Sequence, residues 1–247
     1  AWESFAIDGE YVSVTTSLEQ PSLRNVLKKI GPLPEEALLL GIADDGLPVL
    51  LNLWDQTAGP LLIAGDSKSG KTDFLRMIAG FIVSTHQIRE IQYGVITARP
   101  QEWERHVNDP HCIGTFSIQD RGARDFIRAL AAWIEMKRNS YQSILLLVDE
   151  LVDLMYWRQE LDQELRKILL CGPEKKVWPL VTVNLENAQA LEPWLGYFHT
   201  RIFGHTDGRI CIDSNDTENG GFGNLSKGIE FSLREKSQWI RFRIPGM

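Results

Sequence analysis

The sequence predicts an α/β fold: a largely parallel central sheet with helices on both faces and antiparallel strands at its edge. Three observations carry this. Short apolar runs alternate with longer segments at helical spacing from Leu61 to Phe203, the signature of a doubly wound sheet. Ser143 to Val148 is an unbroken apolar run ending in Asp149-Glu150, as strands buried on both faces read. Gly65-Asp66-Ser67-Lys68-Ser69-Gly70-Lys71-Thr72 lies between an apolar run and a helical segment, and its spacing of Gly, four residues, Gly, Lys, Thr is the phosphate-loop pattern.

Bulk properties fit one sizeable core. The chain has 247 residues, 43% hydrophobic and 24% charged, a globular balance. No run of eighteen apolar residues is present and Ala1-Trp2-Glu3-Ser4 lacks a signal-peptide pattern, so no membrane-spanning segment is expected here. The missing initiator Met suggests that an N-terminal part was removed or left out. Cys112, Cys171 and Cys211 show no paired spacing. They read as small core residues in a reducing, cytoplasmic setting, with no disulfide frame or zinc site. A net charge of −7 weighs against a surface coated in nucleic acid, while leaving room for a local basic groove.

Residues 1–34 read as an N-terminal arm and 35–247 as the main domain. In the arm, Tyr11 to Thr15 alternates as a strand, and Ser22 is placed to cap a helix through Leu23, Val26, Leu27 and Ile30, closed by Pro32 and Pro34. Leu38–Ile42 and Val49–Leu51 flank Asp44-Asp45-Gly46 as a hairpin. Leu61–Ala64 is the strand before the glycine loop, and Lys71 to Thr85 the helix after it. Strands follow at Ile91–Ile96, Cys112–Phe116, Ser143–Asp149, Val177–Asn184 and Thr200–Phe203. Helices are expected over Pro100–Val107, Gly122–Arg138, Leu151–Cys171 and Ala188–Leu195. Arg209–Ile212, Ile229–Leu233 and Trp239–Arg243 read as antiparallel edge strands around a polar loop from Asp213 to Lys227.

The glycine loop frees backbone N–H groups to curl round a phosphate, and the following helix dipole points at the same anion. Gly65, Asp66, Ser67, Lys68, Ser69, Gly70, Lys71, Thr72 and Asp73 are therefore candidates to bind the phosphates of a nucleotide, ATP or GTP. Lys71 is assigned to the outer phosphates, and Thr72 to Mg2+. Asp149 and Glu150 fall at the carboxyl edge of the sheet, where open α/β folds bind ligands. Asp149 is assigned to the metal and Glu150 to the attacking water. Asn184, at the end of the neighbouring strand, either senses the terminal phosphate or water, or caps the next helix. Arg201 is a candidate finger reaching a nucleotide on a neighbouring subunit. Arg121, Arg124 and Arg128 on one helix face, Lys175-Lys176, and Arg241 and Arg243 beside Trp239 are candidate phosphate contacts. Gly220 to Gly223 is either a substrate-touching loop or a long turn.

The motif order resembles the motor domain of the FtsK/SpoIIIE family of ring-forming P-loop ATPases, within the HerA–FtsK group. Three pieces carry the resemblance across roughly Leu38 to Leu233: the strands leading into Gly65–Thr72, the run Asp149-Glu150-Leu151-Val152-Asp153-Leu154-Met155, and Thr200-Arg201-Ile202. It implies a RecA-like P-loop NTPase fold with ATP and Mg2+ as cofactors and a hexameric homo-oligomer. The implied cargo is double-stranded DNA or, in the type VII secretion branch, protein. A nucleotide-binding module that hydrolyses slowly or not at all is a third reading, against which the Asp149-Glu150 pair argues.

The chain departs from the family where Asp-Pro-Lys becomes Thr97-Ala98-Arg99-Pro100 and where Thr-Gln-Arg-Pro becomes Val183-Asn184-Leu185-Glu186. A DNA-recognising winged-helix domain is not expected among these residues. ATP hydrolysis coupled to DNA translocation is the leading expectation. A regulatory or secreted protein partner is the alternative that the acidity and the lost basic residues favour.

Overall fold

The computed structural model describes residues 20–31, 33–136, 141–154, 158–207, 222–235 and 238–247. Its centre is one ten-stranded sheet in the order β2-β1-β10-β9-β8-β3-β7-β6-β4-β5. The strands are β1 (Ala37–Ala43), β2 (Pro48–Asn52), β3 (Leu61–Gly65), β4 (Ile91–Thr97), β5 (Cys112–Ser117), β6 (Ser143–Asp149), β7 (Val177–Asn184), β8 (Thr200–Phe203), β9 (Glu230–Glu235) and β10 (Gln238–Arg243). All neighbours from β8 through β5 are parallel. From β8 to β2 every pairing is antiparallel. The sheet is thus a parallel core of six strands with an antiparallel wing of four at its edge, as the sequence predicts.

Strand alternation divides the core into two layers, because successive side chains of a strand point to opposite faces. Leu62, Ala64, Leu146 and Val148 pack with α3 (Arg121–Glu135) and α5 (Arg158–Cys171). Leu61, Ile63, Leu145 and Leu147 pack with α2 (Lys71–Thr85) and α1 (Leu23–Ile30). Helices therefore cover both faces. α1 begins at Ser22, whose hydroxyl accepts from Asn25 N, and buries Leu23 and Val26. Leu23 N also donates to Gly246 O at 2.7 Å, tying the first described segment to the last.

Some expectations change. The hairpin β1–β2 precedes β3 in sequence, but β10, β9 and β8 stand between them in the sheet. The single helix expected over 151–171 is divided into α4 (Leu151–Leu154) and α5, and Leu161 interrupts the second with φ −125°. α3 ends at Glu135, and the expected last turn to Arg138 lies partly outside the described residues. Over 185–195 a 3-10 turn, Leu185–Leu191, precedes a short α6 (Glu192–Leu195). Cys171 is exposed and is no core residue, while Cys112 is half-buried and packs against the core. Cys171 is the last residue of α5. The Tyr11–Thr15 strand, the Arg209–Ile212 strand, Cys211, Met155, Gly220 and Gly221 lie outside the described residues.

Candidate functional site

β3 ends at Gly65, in register with Asn184 at the end of β7. The chain then turns through Asp66 to Gly70 and enters α2 at Lys71. Gly70 has φ 91°, and a Cβ there would lie 2.5 Å from Gly228 Cα, so no other residue fits without moving backbone. Hydrogen bonds to surrounding loops brace the turn: Asp66 N donates to His205 O at 3.0 Å, Ser69 N to Asp66 O at 3.1 Å and Gly228 N to Ser69 O at 3.2 Å. Asp66 Oδ2 accepts from Asp207 N, so this carboxylate faces the bracing loop. The first-turn N–H groups of α2 have no intrahelical acceptors, as at any helix start, and form a ready anion site.

Lys71 is buried at this helix start. Its ammonium donates to Gly65 O at 3.0 Å, Asp66 O at 2.7 Å and Asn184 Oδ1 at 2.8 Å. Burial lowers the lysine to about 8, against the opposing pull of Glu150, Asp149 and Asp66. Asn184 precedes a 3-10 turn, but its side chain makes no capping bond. The amide is given to Lys71 instead.

Asp149 ends β6 at 3% exposure, and its carboxylate is fully engaged. Oδ1 accepts from Thr72 Oγ1 at 2.8 Å and from Thr182 Oγ1 at 3.4 Å. Oδ2 accepts from Thr97 Oγ1 at 3.2 Å and from Arg99 Nη2 at 3.4 Å. Three threonines, from α2, β4 and β7, thereby fix the acid at the sheet edge. The same Arg99 nitrogen is 3.3 Å from Thr72 Oγ1.

Glu150 follows with φ 80°, a left-handed conformation that costs a non-glycine residue free energy. Its N–H donates to Thr182 Oγ1 at 2.8 Å, and its carboxylate accepts from Asn184 N at 3.0 Å. Burial raises this carboxyl to about 7, outweighing the Asn184 N–H and the Lys71 charge. Lys71, Thr72, Asp149, Glu150 and Asn184 all line one cleft of about 710 Å³, together with Ser67, Lys68, Gly70 and Asp73. The cleft lies at the carboxyl ends of β3, β6 and β7.

Arg201 is not part of this cleft. It is opposite Leu62, near the start of β3, and it donates to Phe198 O at 3.3 Å and Leu195 O at 3.1 Å. The basic groups read as phosphate contacts are ion-paired. Arg124 and Arg128 share Glu160, and Arg121 pairs with Asp125. Lys175 meets Glu174, Lys176 meets Glu36, and Arg241 and Arg243 both meet buried Glu230.

Sequence reasoning assigned no role in the site to Arg99, Thr97, Thr182 or Asp153, all of which lie in or against the cleft. Arg99 lies two residues past the end of β4, whose Thr97 is in register with Asp149 of β6, and no local pattern announces that neighbour. The threonines gave no signal, since a threonine in a strand reads as β-propensity.

No family model and no curated protein matches the chain. Solved structures do. ATPases 2 and 3 of Thermomonospora curvata EccC, in complex with a signal sequence peptide, match at TM-score 0.67 and 15% identity, over 92% of this chain and 43% of that one. The pCW3 conjugation coupling protein TcpA, a monomer form with ATPγS, matches at TM-score 0.69 and 12% identity, over 92% of this chain and 69% of that one. The genome packaging NTPase B204 of Sulfolobus turreted icosahedral virus 2, with AMPPCP, matches at TM-score 0.52 and 13% identity, over 77% of this chain and 100% of that one. This chain spans less than half of the EccC chain. At such identities the likeness is one of fold, and the fold is that of a P-loop ATPase domain.

Proposed function

We propose that residues 35–247 form the ATP-hydrolysing domain of an FtsK/SpoIIIE-type motor. The observation that carries this is the convergence of the phosphate loop, the Thr72–Asp149 pair and Glu150 on one cleft at the carboxyl edge of the sheet. Lys71 and the α2 N-terminus would bind the outer phosphates of ATP. The residues fit Mg2+: an oxygen-only pair, Thr72 and Asp149, already has a cation, the Arg99 guanidinium, lying against it. When bound, Mg2+ would offset the charge on the phosphate oxygens. Glu150, with its raised affinity for protons, would accept one from the attacking water. Asn184, released by Lys71 once phosphate takes the ammonium, would orient that water or the terminal phosphate.

For the cargo, protein is the better reading. The candidate nucleic-acid contacts are paired with carboxylates and the net charge is −7, so those groups, among the described residues, have their charge largely neutralised before any phosphate arrives. Duplex DNA remains the second reading, favoured by fold likeness to a conjugation coupling protein and a genome packaging NTPase. Assembly into a homo-oligomeric ring and a cytoplasmic setting complete the proposal.

The test is ATP hydrolysis with Mg2+, alone and with duplex DNA or a peptide, beside Lys71→Ala and Glu150→Gln. Both variants should lose about 100-fold or more in rate. Equal rates for the parent chain and Glu150→Gln under every condition reject hydrolysis. Stimulation by DNA but not by peptide reverses the cargo assignment.

A further inference from the structure

We propose that Arg99 is an internal stand-in for the metal: its guanidinium occupies the position between Thr72 and Asp149 when Mg2+ is absent and yields it when Mg2+ arrives with nucleotide. This rests on the nucleotide-binding reading above.

Thr72 has one hydroxyl proton, and Asp149 Oδ1 lies 2.8 Å away to accept it. The hydroxyl oxygen is then free to coordinate a cation, and Arg99 Nη2 sits at 3.3 Å from it. The same nitrogen reaches Asp149 Oδ2 at 3.4 Å, the oxygen not used by Thr72. Arg99 therefore contacts both oxygens assigned to the metal, using the electron pairs that coordination needs. A guanidinium and a divalent cation cannot share this spot, since two positive charges a few ångströms apart repel strongly in a half-buried cleft.

Arg99 is built to leave as well as to stay. Its backbone is anchored, with N donating to Thr97 Oγ1 at 3.0 Å, while its side chain is 51% exposed. Both side-chain contacts in the cleft are long, at the weak end of hydrogen bonding. The second guanidinium nitrogen, Nη1, lies 3.1 Å from Glu102 Oε1, three residues on. Glu102 Oε2 is held in turn by Arg76 Nη2 at 3.0 Å. The carboxylate is thus fixed outside the metal position and offers Arg99 a place to park. The threonines Thr97 and Thr182, which hold Asp149 without the Arg99 side chain, keep the acid aligned in both arrangements.

A consequence separates this role from plain phosphate binding. Without metal, Arg99 is, among the described residues, the cation ion-paired with Asp149, and it would neutralise incoming phosphate charge there. With Mg2+, Arg99 is displaced and contributes little. Arg99→Gln should therefore weaken nucleotide binding in EDTA and leave binding in Mg2+ almost unchanged.

The experiment is fluorescence anisotropy of a fluorescently labelled ATPγS, titrated with the whole chain in EDTA and in excess Mg2+. The ratio of Kd in EDTA to Kd in Mg2+ should rise about tenfold in Arg99→Gln, the size of one lost charge-assisted bond. Arg99→Lys, which keeps the charge, should restore most of it. An equal loss in both conditions, or no change in either, overturns the stand-in role. If the parent chain and Lys71→Ala bind equally poorly in both conditions, the nucleotide reading itself fails, and this inference falls with it.

Discussion

The ammonium of Lys71 donates to Asn184 Oδ1 at 2.8 Å, joining the start of α2 to the end of β7 across 113 residues of sequence. A phosphate drawing Lys71 away would free that amide in the same event. Asn184→Ala should lower kcat by about tenfold to 100-fold while changing nucleotide Kd by less than threefold. Steady-state kinetics beside anisotropy titration checks this, and a loss confined to Kd removes Asn184 from the chemical step.

The pH profile follows from two buried groups. Glu150 must be ionised to accept a proton, and burial raises it to about 7, so kcat/KM should climb as pH rises through 7. Lys71 must be charged to meet phosphate, and burial lowers it to about 8, so kcat/KM should fall as pH rises through 8. The expected profile is a narrow bell between these values. In residual activity of Glu150→Gln the acid limb should vanish and the alkaline limb persist.

Glu150 also stores backbone strain, with φ 80°. Glu150→Ala and Glu150→Gly both remove the carboxylate, but only glycine adopts this conformation freely. Glu150→Gly should therefore be more stable than Glu150→Ala by about 1 kcal/mol, opposite to the usual order in regular structure. Denaturant melts of the two variants decide it. Ala at or above Gly would show that the strain is not borne at this residue.

Glu230 is nearly fully buried between Arg241 and Arg243 and accepts from Ser226 N at 2.8 Å. Burial would raise its carboxyl, but these partners win and hold it at about 2. The folded value lies below the unfolded one, so the stabilisation is complete above the ordinary glutamate range and is lost as pH falls toward 2. Glu230→Gln should cost on the order of 3 kcal/mol at neutral pH and flatten the acid limb of stability between about 4.5 and 2. Thermal melts across that range test both.

Where local chemistry decides structure, the sequence was readable. Apolar runs such as Ser143–Asp149 placed the parallel strands, and the glycine spacing placed the phosphate loop. The strand of Asn184 was expected beside that of Asp149, and β7 does pair with β6. Three things were not legible. Arg99 belongs to the site only because β4 lies next to β6, and no local pattern announces that neighbour. Thr182 serves Asp149 across a strand boundary, by a hydroxyl that any strand threonine carries. The ion pairs of Arg128 with Glu160 and Lys176 with Glu36 join elements far apart in sequence, so clusters that read as free charge are neutralised by tertiary partners.

The place of β10 has a consequence for how the protein is made. Among the described strands, β1 and β2 come first in sequence and β10 last, yet β1 joins the sheet through β10 alone. During synthesis the hairpin would emerge early and wait, one edge unpaired, until nearly 200 later residues have left the ribosome. Such long-range closure is slow, and an open strand edge invites pairing with the wrong chain. The nascent chain is thus most exposed to misassembly just before β10 arrives. A chaperone binding to nascent chains stalled short of Gln238, and releasing them once Arg243 is free, is the event to look for.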